Sequence, residues 1–321
     1  MTQTAIRKRT TDISLWVLVT PFAIWALVRF LGLEAGYPFI QLVSFTPYVA
    51  FAALLVPPIA IVTKRWPAAV FAALAATALI ACVIPRATAD GGKLPTGPTV
   101  KVMSANMLEG GADPAALVKL VKDRQVDLLA LQEFTPEAER ALDKAGLTTV
   151  LPNHVTYPLP GVGGSALYSR LPISDDGLRM NPRQFGQARG TLTVPGAAPL
   201  AVESVHTCAP VQADSTGCWE GSFRNQPPAT VDGQVRVLLG DFNATLDHAA
   251  LRKLLATGYR DAADVTGDGL DMTWPYDKLF PRVALDHVLA DRRVGIRRFT
   301  VTAVPRSDHR SVLAELVLPS G

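Results

Sequence analysis

The chain holds 321 residues, with 31 Lys and Arg against 28 Asp and Glu and a net charge of +3. That length admits one large domain or two ordinary ones, and so small a positive excess does not by itself mark a nucleic-acid binder. The mean hydropathy of +0.22 is high for a water-soluble enzyme, and the apolar excess lies before Pro85.

In chain order, three apolar stretches come first, from about Ser14 to Leu33, Phe39 to Val62 and Pro67 to Ile84. Each approaches the roughly 20 residues that cross a hydrocarbon core about 30 Å thick. A secretory signal peptide has one short apolar core, so three in succession predict a membrane anchor over residues 1–84 with three transmembrane helices. Arg7, Lys8 and Arg9 precede the first stretch, and Lys64 with Arg65 separates the second from the third. The loop between the first two carries Glu34 and no cation. The positive-inside rule then expects the N-terminus and the Lys64 loop in the cytoplasm. The result is a multi-pass cell-membrane protein whose remainder is extracellular, with Arg86 and Lys93 as weak opposing signals.

Cys82 lies inside the third stretch, where a thiol is an apolar filler. Cys208 and Cys218 lie close together in an expected loop. Outside the cytoplasm such a pair oxidises, a closure worth about 2–3 kcal/mol; two free thiols are the alternative.

A Gly-, Pro-, Ala- and Thr-rich linker is expected over residues 85–98, and a single soluble domain over residues 99–321. Strands are expected at Val100–Ser104, Asp127–Gln132, Ser165–Ser169, Gly190–Val194, Leu200–His206, Val235–Leu239, Ala284–Ala290 and Ser311–Leu318. Asp113-Pro114 and Thr135-Pro136 open helices, because a capping oxygen before Pro suits a first turn. Asp247 is expected to cap a further helix up to Gly258. This alternation predicts an α/β sandwich with mixed sheets.

Polar residues recur where these apolar runs end. Asn106 follows the first strand, Glu133 the second, His206 closes another, and Asp241 and Asn243 follow Val237–Leu239. Strand ends gathered at one sheet edge build a cleft there.

Met103-Ser104-Ala105-Asn106, Asp127 to Glu133, Gly163 to Arg170, His206, Gly240 to Asn243, Leu285 to Val288 and Ser307 to Arg310 closely resemble, in order, the motifs of the endonuclease/exonuclease/phosphatase superfamily. That group includes deoxyribonucleases, abasic-site endonucleases, sphingomyelinases and inositol-polyphosphate phosphatases. The resemblance implies a four-layer α/β sandwich with two mixed β-sheets packed face to face, preceded here by the three transmembrane helices. It implies a hydrolase of phosphate esters whose cofactor is Mg2+, with Mn2+ as an alternative. Glu133 becomes the principal metal ligand, Asn106 belongs to the metal or its hydrogen-bond shell, and Asp308 assists the metal through water. Mg2+ suits this set because it takes hard oxygen ligands and few protein carboxylates.

Asp241 and Asn243 are one residue apart, so in an extended segment both would point to one side. Asp241 could then deprotonate the attacking water while Asn243 holds a phosphate oxygen; a tight Asp/Asn turn is the alternative. Asp286 and His309 resemble the family's dyad, in which a carboxylate fixes the imidazole. His206 resembles the second catalytic histidine of the deoxyribonuclease and sphingomyelinase branches. His154 and His248 read as structural, and His287 alternates away from Asp286. Gly161–Gly164 reads as a plain turn with a phosphate cradle the alternative, Trp274 as either a stacking platform or core, and Arg292, Arg293, Arg297 and Arg298 as a solvated face with a basic patch for polyanions the alternative.

The expected partners are a phosphate-ester substrate, with nucleic acid the leading class, and a lipid bilayer along the N-terminal helices. No protein partner is inferable. The expected activity is a nuclease-like phosphodiesterase, endo or exo, using in-line attack by water. A phospholipid or sphingomyelin-type phosphodiesterase is the first alternative, and a non-catalytic membrane-tethered binding protein the second.

Overall fold

The computed structural model describes residues 3–279 and 281–321, with side chains from Ile13 onward, so Arg7, Lys8 and Arg9 fall outside the described side chains. The chain divides into two compact units, Met1–Pro85 with Asp247–Ala249, and Arg86–Leu246 with Ala250–Gly321.

The first unit contains helices α1 (Gln3–Leu31), α2 (Phe39–Val43), α3 (Thr46–Ala53), α4 (Val56–Val62) and α5 (Trp66–Val83). Among the described residues two helices, Ile13–Leu31 and Trp66–Ala87, are long and apolar enough to cross a membrane. The middle stretch, expected as one span from Phe39 to Val62, is instead three short helices. Pro47, Pro57 and Pro58 remove amide donors there. The chain answers with tighter bonds at both breaks, Ser44 N to Gln41 O at 3.2 Å and Leu55 N to Ala52 O at 3.1 Å. The Thr46 hydroxyl takes over the Val43 carbonyl at 2.6 Å, which the missing amide of Pro47 leaves open.

The second unit is built on two six-stranded sheets among the described residues. In chain order the strands are β1 (Thr99–Asn106), β2 (Leu128–Gln132), β3 (Asn153–Tyr157), β4 (Ser165–Ser169), β5 (Ile173–Met180) and β6 (Gly186–Leu192). They continue with β7 (Leu200–His206), β8 (Arg236–Asp241), β9 (Tyr259–Asp261), β10 (Asp286–Asp291), β11 (Gly295–Ala303) and β12 (Arg310–Val317). The strand orders are β11-β12-β1-β2-β4-β3 and β5-β6-β7-β8-β10-β9. Both sheets are mixed, since β1–β2 and β7–β8 are parallel and their other neighbours antiparallel.

The strand period of two divides the core. Val100, Val102, Leu128 and Ala130 face the second sheet's Val202, Val237, Leu239 and Val288. Their alternates Met103, Ala105, Leu129 and Leu131 pack on Leu117, Val118, Val121, Ala138 and Leu142 of α6 (Pro114–Arg124) and α7 (Pro136–Lys144). Continuous apolar runs such as Leu128–Leu131 therefore make sense, because both faces are covered. Asp113 and Thr135 cap these two helices by accepting from Ala116 N at 2.9 Å and Ala138 N at 3.2 Å. The short α8 (Leu147–Val150) follows, and α9 (Thr216–Arg224), α10 (Ala249–Ala256) and α11 (Ala262–Thr266) lie later in the chain.

Two expectations need correction. Cys218 lies on α9 rather than in a loop, and the middle apolar stretch is broken into three helices, whereas the irregular linker is held to its own unit at Asp90. Asp90 N donates to Val265 O at 2.9 Å, and the Asp90 carboxylate pairs with Arg260 at 2.7 Å.

Candidate active site

The topology brings the strand ends together. Asn106 ends β1, and its register partner on the parallel neighbour β2 is Gln132, one residue before Glu133. In the second sheet His206 and Asp241 are partners on parallel β7 and β8, and Asp286 is the partner of Asp241 at the start of antiparallel β10. His309 immediately precedes β12, which pairs antiparallel with β1. Parallel strands deliver their C-terminal ends to this edge and antiparallel strands their N-terminal ends.

Local sequence makes the approach possible. Gly240 has φ +153°, and a Cβ there would lie 2.0 Å from the Val205 carbonyl, so only glycine lets β8 close on β7 just before Asp241. Glu133 sits at φ +54° and Asn243 at φ +45°. For Glu133 this left-handed conformation costs roughly 1–2 kcal/mol, strain that the surrounding bonds must hold.

Those bonds form a closed set. Asn106 Nδ2 donates to Glu133 Oε1 at 3.0 Å and to Asp241 Oδ2 at 3.1 Å, while its Oδ1 accepts from Leu108 N at 2.9 Å. Glu109 N donates to Glu133 Oε2 at 2.7 Å. His206 Nε2 lies 3.8 Å from both Glu133 Oε1 and Asp241 Oδ2. His309 Nδ1 lies 2.9 Å from Asp286 Oδ2, and its Nε2 lies 3.7 Å from Asp241 Oδ2. Asp241 Oδ2 is thus the hub, hydrogen-bonded by Asn106 and approached within 4 Å by one nitrogen from each of His206 and His309.

Asn243 departs from the extended geometry expected of it. Its N–H donates to Asp241 Oδ1 at 2.8 Å in an Asx turn, the alternative reading, and its Nδ2 donates to Thr207 O at 3.0 Å. The bond to Thr207 uses one of its two Nδ2 hydrogens. Asp308 Oδ2 accepts from Trp274 Nε1 at 2.9 Å, which gives Trp274 a local partner instead of a free ring.

Electrostatics follow from burial. Burial raises Glu133 above the ordinary carboxylate range, against hydrogen bonds from Asn106 and Glu109 N that lower it. Burial likewise raises Asp241, with His309 opposing. His206 is pushed down, chiefly by burial, with the Asp241 charge opposing. Burial also works against the His309 cation, but Asp286 and Asp241 outweigh it and push that imidazole up to about 10. A more basic Asp241 beside a cationic His309 suits proton acceptance from water at the centre of the site.

The residues also suit a cation. Asp308 Oδ1 is buried without a partner, and the charge of Asp308 adds to the burial that raises Glu133. A divalent ion relieves both costs. Ligand atoms of Asp241, Asp286 and His309 lie within 4.8 Å of one another, a second group that could hold a metal. There Asp286 Oδ2 is already engaged by His309 Nδ1.

The remaining candidates lie elsewhere or act structurally. His287 Nδ1 lies 2.8 Å from Asp261 Oδ2 and its Nε2 lies 2.8 Å from Ala244 O, facing away from Asp286. His154 is exposed on β3 and His248 is buried. Gly161–Gly163 is a 3-10 turn. Arg293 pairs with Asp291 and with the carbonyls of Thr230, Val231 and Gly233, and Arg297 pairs with Glu315. Cys208 and Cys218 are joined in a disulfide with their Cα atoms 5.8 Å apart, and Cys82 is free.

Sequence reasoning missed the layer beneath. Ser104 Oγ donates to Gln132 Oε1 at 3.1 Å, and Gln132 Nε2 donates to Ser204 Oγ at 2.9 Å, joining the two sheets under the site. Thr273 Oγ1 accepts from Leu285 N and Asp286 N, and the Ser307 hydroxyl donates to Asn106 O at 2.9 Å. A fully buried Gln inside an apolar run was the available signal, since such a side chain must find partners.

Residues 103–309 match the Endonuclease/Exonuclease/phosphatase family. The chain belongs to that family. Its enzymes are hydrolases acting on phosphodiester bonds and are typically metal-dependent. Among solved structures, the fold is similar to an endonuclease/exonuclease/phosphatase from Beutenbergia cavernae, at TM-score 0.53 and 18% identity, covering 69% of this chain and 72% of that one. It is similar also to a humanized D. rerio TDP2, at 0.53 and 14%, covering 68% and 98%. D. rerio TDP2 complexed with a single strand DNA product aligns at 0.51 and 14%, again covering 68% and 98%. No curated protein matches the sequence.

Proposed function

We propose that this chain is a Mg2+-dependent phosphodiesterase of nuclease type, anchored in the cell membrane with its catalytic domain outside. The observation that carries the chemistry is the hub at Asp241 Oδ2, ringed by Asn106 at 3.1 Å, His309 at 3.7 Å and His206 at 3.8 Å.

Glu133 and Asp308 would hold the ion, with Asn106 in its hydrogen-bond shell through Glu133, and the ion would neutralise charge developing on the phosphate. Asp241 takes the proton of the attacking water. His309, oriented by Asp286, and His206 donate to non-bridging oxygens, and Asn243 adds its second amide hydrogen. No covalent enzyme intermediate is required. The DNA product in the D. rerio TDP2 complex supports nucleic acid as the substrate class. A choline-headgroup lipid is the second reading, favoured by the exposed apolar N-terminal helices. A non-catalytic binder would not need both acids and both histidines.

For the anchor, Val17, Leu27, Leu31, Val70 and Leu74 stand exposed on the two long apolar helices, as lipid-facing side chains do. We read the broken middle stretch as a third crossing, because its backbone groups find internal partners at the breaks. The Cys208–Cys218 disulfide supports an oxidising compartment.

The full chain should hydrolyse DNA, RNA or a choline-headgroup lipid with Mg2+ and stop in EDTA, and Glu133→Ala should be inactive but folded. Activity that survives EDTA or Glu133→Ala would sink the metal reading. A phosphatase reporter fused after Gly92 should be active outside the cytoplasm and one at Lys64 silent; the reverse pattern overturns the topology.

A further inference from the structure

His206 ends a strand that has lost its neighbour on one side. The β6–β7 ladder runs from Leu192↔Leu200 to Arg189↔Glu203 and stops. Continued in the same register it would set Gly186 opposite His206. Gly186 instead lies against the Gly163 carbonyl, where a Cβ would come within 2.7 Å. The backbone N–H and C=O of His206 therefore lack strand partners toward β6, although both are buried. Two buried amide side chains replace them. Gln187 Oε1 accepts from His206 N at 3.2 Å, and Asn181 Nδ2 donates to His206 O at 3.0 Å. Gln187 is itself held, because Gln226 Nε2 donates to the same Oε1 at 3.0 Å. Phe185, in the turn between Asn181 and Gln187, meets the His206 ring edge-on with centroids 4.7 Å apart and planes at 80°.

We infer that Gln187 and Asn181 are positioning residues that clamp the His206 backbone and so aim its imidazole at the Asp241–Glu133 centre. A strand end without ladder bonds frays, and this one carries a side chain that must hold Nε2 equally distant from two carboxylates. The inference rests on the reading of His206 as a group that faces the phosphate.

The test is a comparison of backgrounds. Gln187→Met keeps length and removes the acceptor, and Asn181→Leu removes the donor on the other side. Each is made in the full chain with and without His206→Ala and assayed with bis-p-nitrophenyl phosphate and Mg2+. Loss of an orienting partner should lower kcat about 10–100-fold with little change in KM, and add less than about twofold once His206 is gone. In 15N-histidine-labelled chain, each clamp variant should shift the His206 ring signals and leave those of His154 unmoved. An equal loss in both backgrounds would make the clamp merely structural, and an unshifted His206 ring would overturn it outright. If His206→Ala is itself fully active, the role given to His206 fails, and the ring signals alone then decide the clamp. Should Gln187→Met not fold, Asn181→Leu carries the same comparison.

Discussion

His206 and Asp241 stand directly opposite each other on parallel β7 and β8, Nε2 to Oδ2 at 3.8 Å. Parallel pairing is what allows this, because it brings two C-terminal strand ends, thirty-five residues apart in sequence, to the same level. Asp286, level with Asp241 on the other side, completes a row of three ionisable groups across one sheet edge.

Asp241→Asn keeps the hydrogen bonds that an acceptor oxygen can make but removes the base proposed above. Turnover should fall by about 10²–10⁴-fold, with unchanged circular dichroism. His309→Ala should cost about 10²–10³-fold, the usual loss when one preorganised donor is removed. Steady-state kinetics on the same phosphodiester check both, and activity near wild type in either would remove that residue from the chemistry.

Glu133 is a carboxylate that burial makes costly to ionise. Burial raises its carboxyl, so the ionised form near neutral pH destabilises the folded protein when no cation balances it. Glu133→Gln should therefore melt no lower than wild type in EDTA, and Mg2+ should raise the melting temperature of wild type but not of the variant. Equal Mg2+ stabilisation of both proteins would exclude Glu133 from the cation site.

His287 gives a pH signature independent of catalysis. Its two ring nitrogens face only acceptors, Asp261 Oδ2 and Ala244 O, an arrangement that favours the doubly protonated ring. Burial opposes that cation, but Asp261 outweighs it and raises His287 above its ordinary 6.5. A raised folded value means the contribution is full below about pH 6.5 and lost as pH rises through the folded value. Chemical denaturation should show stability falling on the alkaline side, and His287→Gln should flatten that slope. An unchanged slope in the variant would assign the pH dependence elsewhere.

The disulfide makes a prediction about both stability and compartment. Cys208 and Cys218 are ten residues apart, and opening so short a loop should cost about 2–3 kcal/mol. Thiol labelling of non-reduced, denatured protein from its native compartment should modify Cys82 alone. Full labelling of all three would remove the disulfide and one support for an external domain.

Burial on both faces leaves a readable mark in the chain. Most of the eight central strands were legible because their apolar residues are covered above and below, whereas β6 was expected at Gly190–Val194 and begins at Gly186, because Gln187 and Arg189 interrupt its apolar pattern. The four edge strands β3, β5, β9 and β11 were not, since an edge is half solvated and tolerates charges. Asp175-Asp176-Gly177 hid β5, and Arg297-Arg298 made β11 look like a basic patch, although Ile296 and Phe299 are buried on it. Candidate site residues stood out where a polar group broke or closed an apolar run, as Asn106, Glu133, His206 and Asp241 do. Long-range packing set the turn at Asn243, the Ser104–Gln132–Ser204 bridge between sheets and the amide contacts to the His206 backbone. Each depends on which backbone groups lose their strand partner, and strand pairing joins residues too distant in sequence for local pattern to specify.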